Sequence, residues 1–249
     1  MKRIFSLCIV LALILTLFSG CALSNKLTAF GLYTRAVRTI SKAGGFEIAS
    51  TISVTFDEDL LAGAEITMFV NIKQNGKNSR TEIKTGDETA AVTTIIGRDV
   101  YVESALSKLR YTMPEKESSK ADPSAIPEIA EDLFANLDVI KNEDGSKSIT
   151  LSLEDEALYN LVSQMSGGEL DEFEGISFEN AQITMNFDVN NDLDTMQVSC
   201  DVSYNVFELF ELKGRMDSEY KFINLGVAPE VTTPVNAEEF EFAGEYIAQ

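Results

Sequence analysis

The sequence predicts an α+β protein whose larger part is an antiparallel sheet. Over most of the chain, apolar residues alternate with polar ones in short segments, the pattern of strands with one covered face. Dipeptides such as Asn75-Gly76 and Asp144-Gly145 separate these segments and are typical of tight hairpin turns. A few other segments have apolar residues at helical spacing. Because strands joined by short turns cannot make the long crossovers of parallel pairing, the sheet is expected to be antiparallel.

The first helix is predicted shortly before a pair of glycines. Phe30, Tyr33, Val37 and Ile40 recur at helical spacing, with basic residues mostly on the other side. Gly44-Gly45 ends the pattern. An apolar stripe of this kind indicates a helix that packs on a sheet.

A meander of strands follows this helix. Phe46, Ile48, Ser50, Ile52, Val54 and Phe56 lie on one side of its first strand. Further strands are expected at 64–74, 79–84, 89–96, 100–102 and 109–113. Turns at Gly86-Asp87 and 97–99 connect them, and Pro114 ends the last strand.

The middle of the chain is predicted to contain two inserted helices. The polar segment 115–122 indicates a loop, and Asp122-Pro123 begins a helix whose apolar face is Ile126, Ile129, Ala130, Leu133 and Phe134. A strand at 148–153 follows the Asp144-Gly145 turn. Another helix is expected from 154 to 165, ending at Gly167-Gly168, with a loop at 169–174.

The last third returns to sheet with the clearest alternation in the chain. One apolar face is Ile183, Met185, Phe187 and Val189, and the next is Met196, Val198, Cys200, Val202 and Tyr204. Two more strands, 207–213 and 215–225, complete the meander before a Pro- and Glu-rich tail. Cys200 is therefore predicted to be a buried thiol that behaves as a small hydrophobic residue.

The N-terminus matches a lipoprotein signal peptide. Lys2 and Arg3 form a positive n-region, and residues 4–18 are uncharged and mostly apolar. The signal ends in the lipobox Leu17, Phe18, Ser19, Gly20 and Cys21. Signal peptidase needs the small residues before the cut, and the Cys21 thiol would carry a diacylglyceryl group through a thioether.

This motif defines the expected organisation of the chain. Residues 1–20 are the signal peptide, 21–28 a lipid-anchored tether, and 29–249 one domain with an acidic C-terminal tail. The alternatives are an uncleaved signal anchor and secretion with a free Cys21. A membrane span needs about 20 apolar residues, and Gly20-Cys21 interrupts the run before that length.

Charge and cysteine usage limit the partners. The chain has 20 basic and 40 acidic residues, and its net charge of −20 becomes −22 once Lys2 and Arg3 leave. Nucleic acid is not expected as a partner, because phosphate binding depends on Lys and Arg. An anionic bilayer would repel the domain, so attachment is expected to depend on the lipid. Cys8 leaves with the signal peptide and Cys21 carries lipid, so Cys200 has no partner for an intrachain disulfide.

No catalytic or cofactor site is predicted. The chain has no histidine, which excludes a Ser-His-Asp triad, a Cys-His pair and a His-ligated metal. The S-x-x-K match at Ser218–Lys221 falls on a strand, where residues three apart point to opposite faces. Asp188, Asn190, Asp192 and Asp194 have the spacing of a calcium loop. However, Leu193 and Ser199 replace its glycine and glutamate, so a polar hairpin turn explains these residues.

The order of these parts resembles the LolA-like half-barrel lipoproteins, which include lipoprotein-localisation carriers and actinobacterial lipid-carrying lipoproteins. The lipobox, the first helix, the long meander, the inserted helices and the closing meander carry this resemblance. The phrases at 109–114, Leu-Arg-Tyr-Thr-Met-Pro, and 220–224, Tyr-Lys-Phe-Ile-Asn, are similar to strands of related uncharacterised lipoproteins. The resemblance implies a curved antiparallel sheet, a half-barrel, wrapping two to three helices around a hydrophobic cavity.

The expected function is that of a membrane-anchored extracytoplasmic lipoprotein, non-catalytic, which binds a lipid-like ligand in the concavity of the sheet. The residues expected to line it are Ile183, Met185, Phe187, Val189, Met196, Val198, Val202 and Tyr204. The alternative is a cell-surface interaction or sensing module with a filled core and an envelope protein as partner. Alternation does not separate the two, because lining a pocket and filling a core require the same residues.

The N-terminal interpretation can be tested by the variant Cys21→Ser. Removing the thiol removes the atom that receives the lipid, so we expect the protein to remain unprocessed or to be released from the membrane. Membrane fractionation and metabolic labelling with a fatty acid measure this. A variant that remains lipidated and membrane-bound would contradict the prediction.

Overall fold

The computed structural model describes residues 28–57, 64–114, 129–159, 176–206 and 210–245. One helix, α1 (Ala29–Lys42), precedes the sheet. The first strands are β1 (Gly45–Phe56), β2 (Glu65–Asn75), β3 (Asn78–Thr85), β4 (Glu88–Ile96), β5 (Asp99–Ser104) and β6 (Lys108–Thr112). The later ones are β7 (Ile140–Lys141), β8 (Lys147–Leu153), β9 (Ile176–Phe187), β10 (Leu193–Val206), β11 (Phe210–Ile223) and β12 (Glu241–Glu245).

These strands form one sheet of twelve, in the order β12-β6-β5-β4-β3-β2-β1-β11-β10-β9-β8-β7. The pairing is antiparallel except between β12 and β6, which run parallel. The sheet is curved and its two ends do not meet. This confirms the predicted α+β class and the half-barrel with a curved antiparallel sheet.

Helix α1 confirms the first predicted helix. The Thr28 side chain caps its N-terminus by accepting a hydrogen bond from the Gly31 amide at 3.0 Å. Its buried residues, Ala29, Leu32, Tyr33, Ala36 and Ile40, lie on one side. Within the described ranges, no helix combines the length and the apolar character that crossing a bilayer requires.

The hydrophobic core lies between α1 and one part of the sheet. We call the sheet face toward α1 the inner face and the opposite one the outer face. Side chains of β1 and β8–β11 fill the space beneath the helix: Phe46, Ile48, Ile149, Leu151, Leu153, Phe178, Ala181, Ile183, Met185, Phe187, Leu193, Met196, Val198, Cys200 and Phe222. The core is therefore centred on the C-terminal half of the sheet.

The second predicted helix is wrong where the structure describes it. Ile129 and Ala130 are not helical, and Glu131–Phe134 forms one short 3-10 helix. Contacts with the Tyr33 side chain of α1 stabilise this conformation. The Ile129 amide donates to Tyr33 Oη at 2.8 Å, and the Phe134 ring stacks on Tyr33 at 5.0 Å. The predicted loop at 115–122, the helix start at Asp122-Pro123 and Ile126 lie outside the described residues. Residues 155–159 are helical, as expected for the third helix, whose remainder and following loop are also outside them.

The two strands predicted at 207–213 and 215–225 are one strand, β11. Gly214 lies within it and is no turn residue. A Cβ at this position would lie 2.5 Å from the carbonyl oxygen of Thr55, so only glycine permits this approach of β1 and β11.

The acidic tail is partly structured, which the sequence did not indicate. The Gly226 amide donates to the Gly45 carbonyl at 3.0 Å, and Asn75 Nδ2 donates to the Pro229 carbonyl at 3.0 Å. Further along, the Phe240 ring meets Tyr101 edge-on at 5.4 Å, and β12 extends the sheet beside β6. The tail thus connects β11 with the opposite end of the sheet.

The close approach at Gly214 can be tested by substitution. Gly214→Ala would force the two backbones apart, and we expect a loss of about 1–3 kcal/mol in the free energy of unfolding. Gly44→Ala is the matched control, because a Cβ there meets nothing within 4 Å. Urea unfolding of both variants measures the difference, and equal stability would contradict this explanation of Gly214.

Candidate functional site

Five of the predicted lining residues lie in the packed core. Met185 is opposite Met196, and Ile183 is opposite Val198 on the neighbouring strands β9 and β10. Ile183 and Met185 have 0% exposed surface, and Val198 has 5%. Phe187 and Met196 are equally buried beneath α1. A lining role for these residues stays a prediction.

Val202 and Tyr204 lie further along β10 and are half-buried. They are opposite Phe178 and Ile176 of β9, beyond a bulge that interrupts the pairing after Ser199. Val202 packs against the edge of the core.

Val189 is not part of this apolar face, which corrects the sequence prediction. Strand β9 ends at Phe187, and 61% of the Val189 surface is exposed. Asp188 Oδ1 accepts from the amides of Asn190 and Asp192 at 2.8 and 2.9 Å, so the chain turns here and the alternation ends. Arg35 of α1 holds the turn by donating to the Asn190 carbonyl at 2.9 Å.

These hydrogen bonds already engage the carboxylate of Asp188, the first residue of the segment that has the spacing of a calcium loop. Burial alone would raise the pKa of Asp188, but the bonds from Asp192 and Asn190 outweigh it and lower that pKa below its ordinary value. Across the described ranges, no three Cys, Asp or Glu residues come together as a cluster that could hold a metal ion.

Cys200 is a free, fully buried thiol, as predicted. Burial, assisted by the charge of Asp201, raises its pKa from 9.0 to about 11. The thiol is therefore protonated at neutral pH and unreactive.

Ser218 and Lys221 do not form a catalytic pair. Both lie on β11, and the Ser218 hydroxyl is buried and donates to the Val198 carbonyl at 3.3 Å. Lys221 is exposed. The predicted strand conformation of this motif is confirmed.

A second apolar surface lies on the inner face of β1–β6, away from the core beneath α1. We call it the open inner face. Apart from Val100, which is buried, its main apolar side chains are half-buried: Ile52, Val54, Met68, Val70, Ile83, Ile95, Val102, Leu109 and Tyr111. Ile66, at one end, is 47% exposed. Ile72 of this region packs against the core, so the open inner face borders the core directly.

The strand register makes this surface continuous. Val70 is opposite Ile83 in β3, and Ile52 is opposite Met68 in β2. At the far side, Val100 and Val102 of β5 are opposite Tyr111 and Leu109 of β6. Most charged residues of β2–β6 alternate onto the outer face, and Glu88, which is opposite Thr85 at the start of β4, is a charged residue at one end of the inner face.

Hydroxyl side chains also lie on the open inner face, among them Ser50, Thr81 and Thr93. Ser50, opposite Val70, is buried and donates its hydroxyl to the Val70 carbonyl at 3.2 Å. Its hydrogen-bonding capacity is used by the sheet, so the surrounding surface remains apolar in character. The sequence showed the alternation of these strands, but not which part of the sheet α1 would cover.

Comparisons with solved structures return distant matches. The chain matches a lipoprotein of Mycobacterium tuberculosis, LppX, with 12% identity and a TM-score of 0.44, over 81% of this chain and 96% of that one. It also matches a LolA superfamily protein of Nitrosomonas europaea, with 12% identity and a TM-score of 0.27, over 78% of this chain and 93% of that one. No protein-family model and no curated protein matches the sequence. The half-barrel itself rests on the strand order and pairing described above.

The buried state of Cys200 predicts its reactivity. We expect a thiol reagent to label it slowly in the folded domain at pH 8, because the thiolate is scarce and covered, and rapidly in urea. Mass spectrometry of the domain without residues 1–21 measures this, since Cys200 is then the single cysteine. Rapid labelling of the folded protein would place the thiol at the surface.

Proposed function

We propose that the protein is an extracytoplasmic lipoprotein, anchored through Cys21, that holds an acyl chain or a similar amphiphilic ligand against the open inner face. The observation that carries this proposal is the difference between the two halves of the inner face. In the core beneath α1 the apolar side chains are mostly fully buried, whereas those of the open inner face, such as Met68, Val70 and Ile83, stay partly accessible, although Val100 on β5 is buried. A partly accessible, mostly apolar surface is characteristic of a binding site.

The energetics favour an aliphatic ligand. Each methylene group that leaves water contributes about 0.8 kcal/mol, so a chain of several methylenes on this surface gains a useful affinity without any specific polar contact. Hydroxyls such as Thr81 and Thr93 lie among the apolar residues of this face. They can accept or donate hydrogen bonds to the polar end of an amphiphile.

The anchor would keep this site close to a membrane. Seven peptide steps separate Cys21 from Thr28, and a chain of that length spans at most about 25 Å. With a net charge of −22 after removal of the signal peptide, the domain gains nothing from direct contact with anionic lipids. The lipid on Cys21 would therefore keep the domain close to the membrane, which its acidic surface would not do.

The second candidate is an interaction or sensing module that holds no ligand. The burial of Ile183, Met185 and Phe187 favours it, because this half of the inner face is a filled core. In this case the open inner face would contact an envelope protein.

Two carboxylate substitutions on the inner face separate these candidates. Val198→Glu places a charge in the packed core and is expected to unfold the domain, at a cost of several kcal/mol. Val70→Glu places it where water has access, so the domain should fold and lose at least about tenfold in affinity for a dansyl-labelled fatty acid. Thermal unfolding and fluorescence titration measure the two effects.

Thr55→Glu is the matched control for Val70→Glu, because it adds the same charge to the exposed outer face. We expect it to bind the probe as the wild type does. A wild-type domain that binds no acyl probe would sink the ligand proposal and leave the interaction module. Unchanged binding by a folded Val70→Glu variant would place the ligand elsewhere.

A further inference from the structure

An open groove of about 550 Å³ crosses the outer face, on the side of the sheet opposite α1. It runs over β1, β11, β10 and β9. Its walls are formed by Thr51, Ser53, Gln182, Thr184, Gln197, Val198, Ser199, Asp217, Ser218 and Glu219. Val198 and Ser218 point toward the inner face and border the groove through their backbone, so the side chains that line it are all polar.

The lining side chains form two parallel rows that run across the strands. In the first row, Thr51 is opposite Glu219, Glu219 opposite Gln197, and Gln197 opposite Thr184. In the second row, Ser53 is opposite Asp217, Asp217 opposite Ser199, and Ser199 opposite Gln182. Each row spans three strand spacings, about 14 Å. A ligand in the groove would lie across the strands and touch both rows.

Each row presents hydroxyl, carboxylate and amide groups in close succession. Gln197 Nε2 donates to Glu219 Oε2 at 2.8 Å, and Arg215 Nε lies 3.3 Å from Asp217 Oδ2. Each carboxylate therefore already has one partner and keeps further lone pairs for a donor from a ligand. In the part of the chain that the structure describes, no hydrogen bond engages the side chains of Thr51, Gln182 and Ser199.

An exposed aromatic ring continues the first row. Phe69 of β2 is directly opposite Thr51 on the outer face, and 43% of its surface is exposed. Directly opposite residues in antiparallel strands have Cβ atoms about 5 Å apart, so the ring borders the groove. A large apolar side chain exposed at the end of a polar row has no role in the core.

We propose that this groove binds a neutral carbohydrate chain, laid across β1, β11, β10 and β9 with one sugar ring against Phe69. Sugars carry many hydroxyls that both donate and accept, and the two rows offer acceptors and donors in the same density. Their C–H faces pack on aromatic rings. A bare cation fits less well, because Arg215 and Gln197 already engage the two carboxylates. This site lies on the opposite face from the proposed lipid ligand and does not depend on it.

The test uses the absence of tryptophan from the chain. In the domain without residues 1–21, Phe69→Trp creates a single fluorescent reporter beside the groove and preserves an aromatic ring. Cellotetraose, chitotetraose and maltotetraose are titrated, with calcium chloride as a separate arm. We expect at least one tetrasaccharide to change the emission. Isothermal titration calorimetry of the wild-type domain with the same sugars detects any binding that leaves the tryptophan emission unchanged.

Substitutions in the groove then locate the site. Gln197→Ala and Phe69→Ala should each weaken saccharide binding to the wild-type domain by roughly tenfold, the effect of losing one or two direct contacts. Asn205→Ala, on the same face of β10 but outside the groove, should leave the affinity within about twofold. Binding that neither Gln197→Ala nor Phe69→Ala weakens would overturn the proposal. So would a domain that binds no tetrasaccharide by either measurement, including one that responds to calcium alone.

Discussion

Among the described residues, the structure depends on a mismatch between the size of the sheet and the size of helix α1, which packs on it. Helix α1 has 14 residues and is therefore about 21 Å long. The twelve strands, at about 4.8 Å spacing, extend over about 53 Å. One helix cannot cover an inner face of this width. It buries the part where Leu32, Tyr33, Ala36 and Ile40 meet β8–β11 and β1, and the apolar pattern of β2–β6 continues beyond its reach.

The alternation of side chains along each strand determines which residues face the inner surface and which face the outer surface. Ile52 and Val54 of β1 face inward, while Thr51 and Ser53 between them face outward. The same strand thus contributes to the apolar inner surface and to the polar outer groove. Because successive residues always point to opposite faces, neither surface can shift its register without exchanging with the other.

Much of the fold could be predicted from the sequence because its signals are local. The period-two pattern, the turn at Asn75-Gly76 and the helical stripe of α1 each depend on neighbouring residues alone. The failures depend on contacts distant in sequence. The prediction of two strands, 207–213 and 215–225, divides β11 at Gly214, because nothing in the sequence shows that Thr55 approaches this glycine. Val189 continued the alternation in sequence, but the hydrogen bonds within the Asp188 turn ended the strand before it.

The candidate site also depends on contacts between residues distant in sequence, so less of it could be predicted. Val198 and Val70 both lie in strands with a clear apolar face, and the sequence treats them alike. One is buried and the other half-buried, because Val198 on β10 belongs to the core cluster that α1 covers and Val70 on β2 does not. The two rows of the outer groove, in turn, exist only once β1, β11, β10 and β9 are in register, although their residues come from segments more than 100 positions apart. The open inner face and the outer groove therefore lie on opposite sides of the same sheet. The two proposed ligands would be separated by the sheet and would not contact each other.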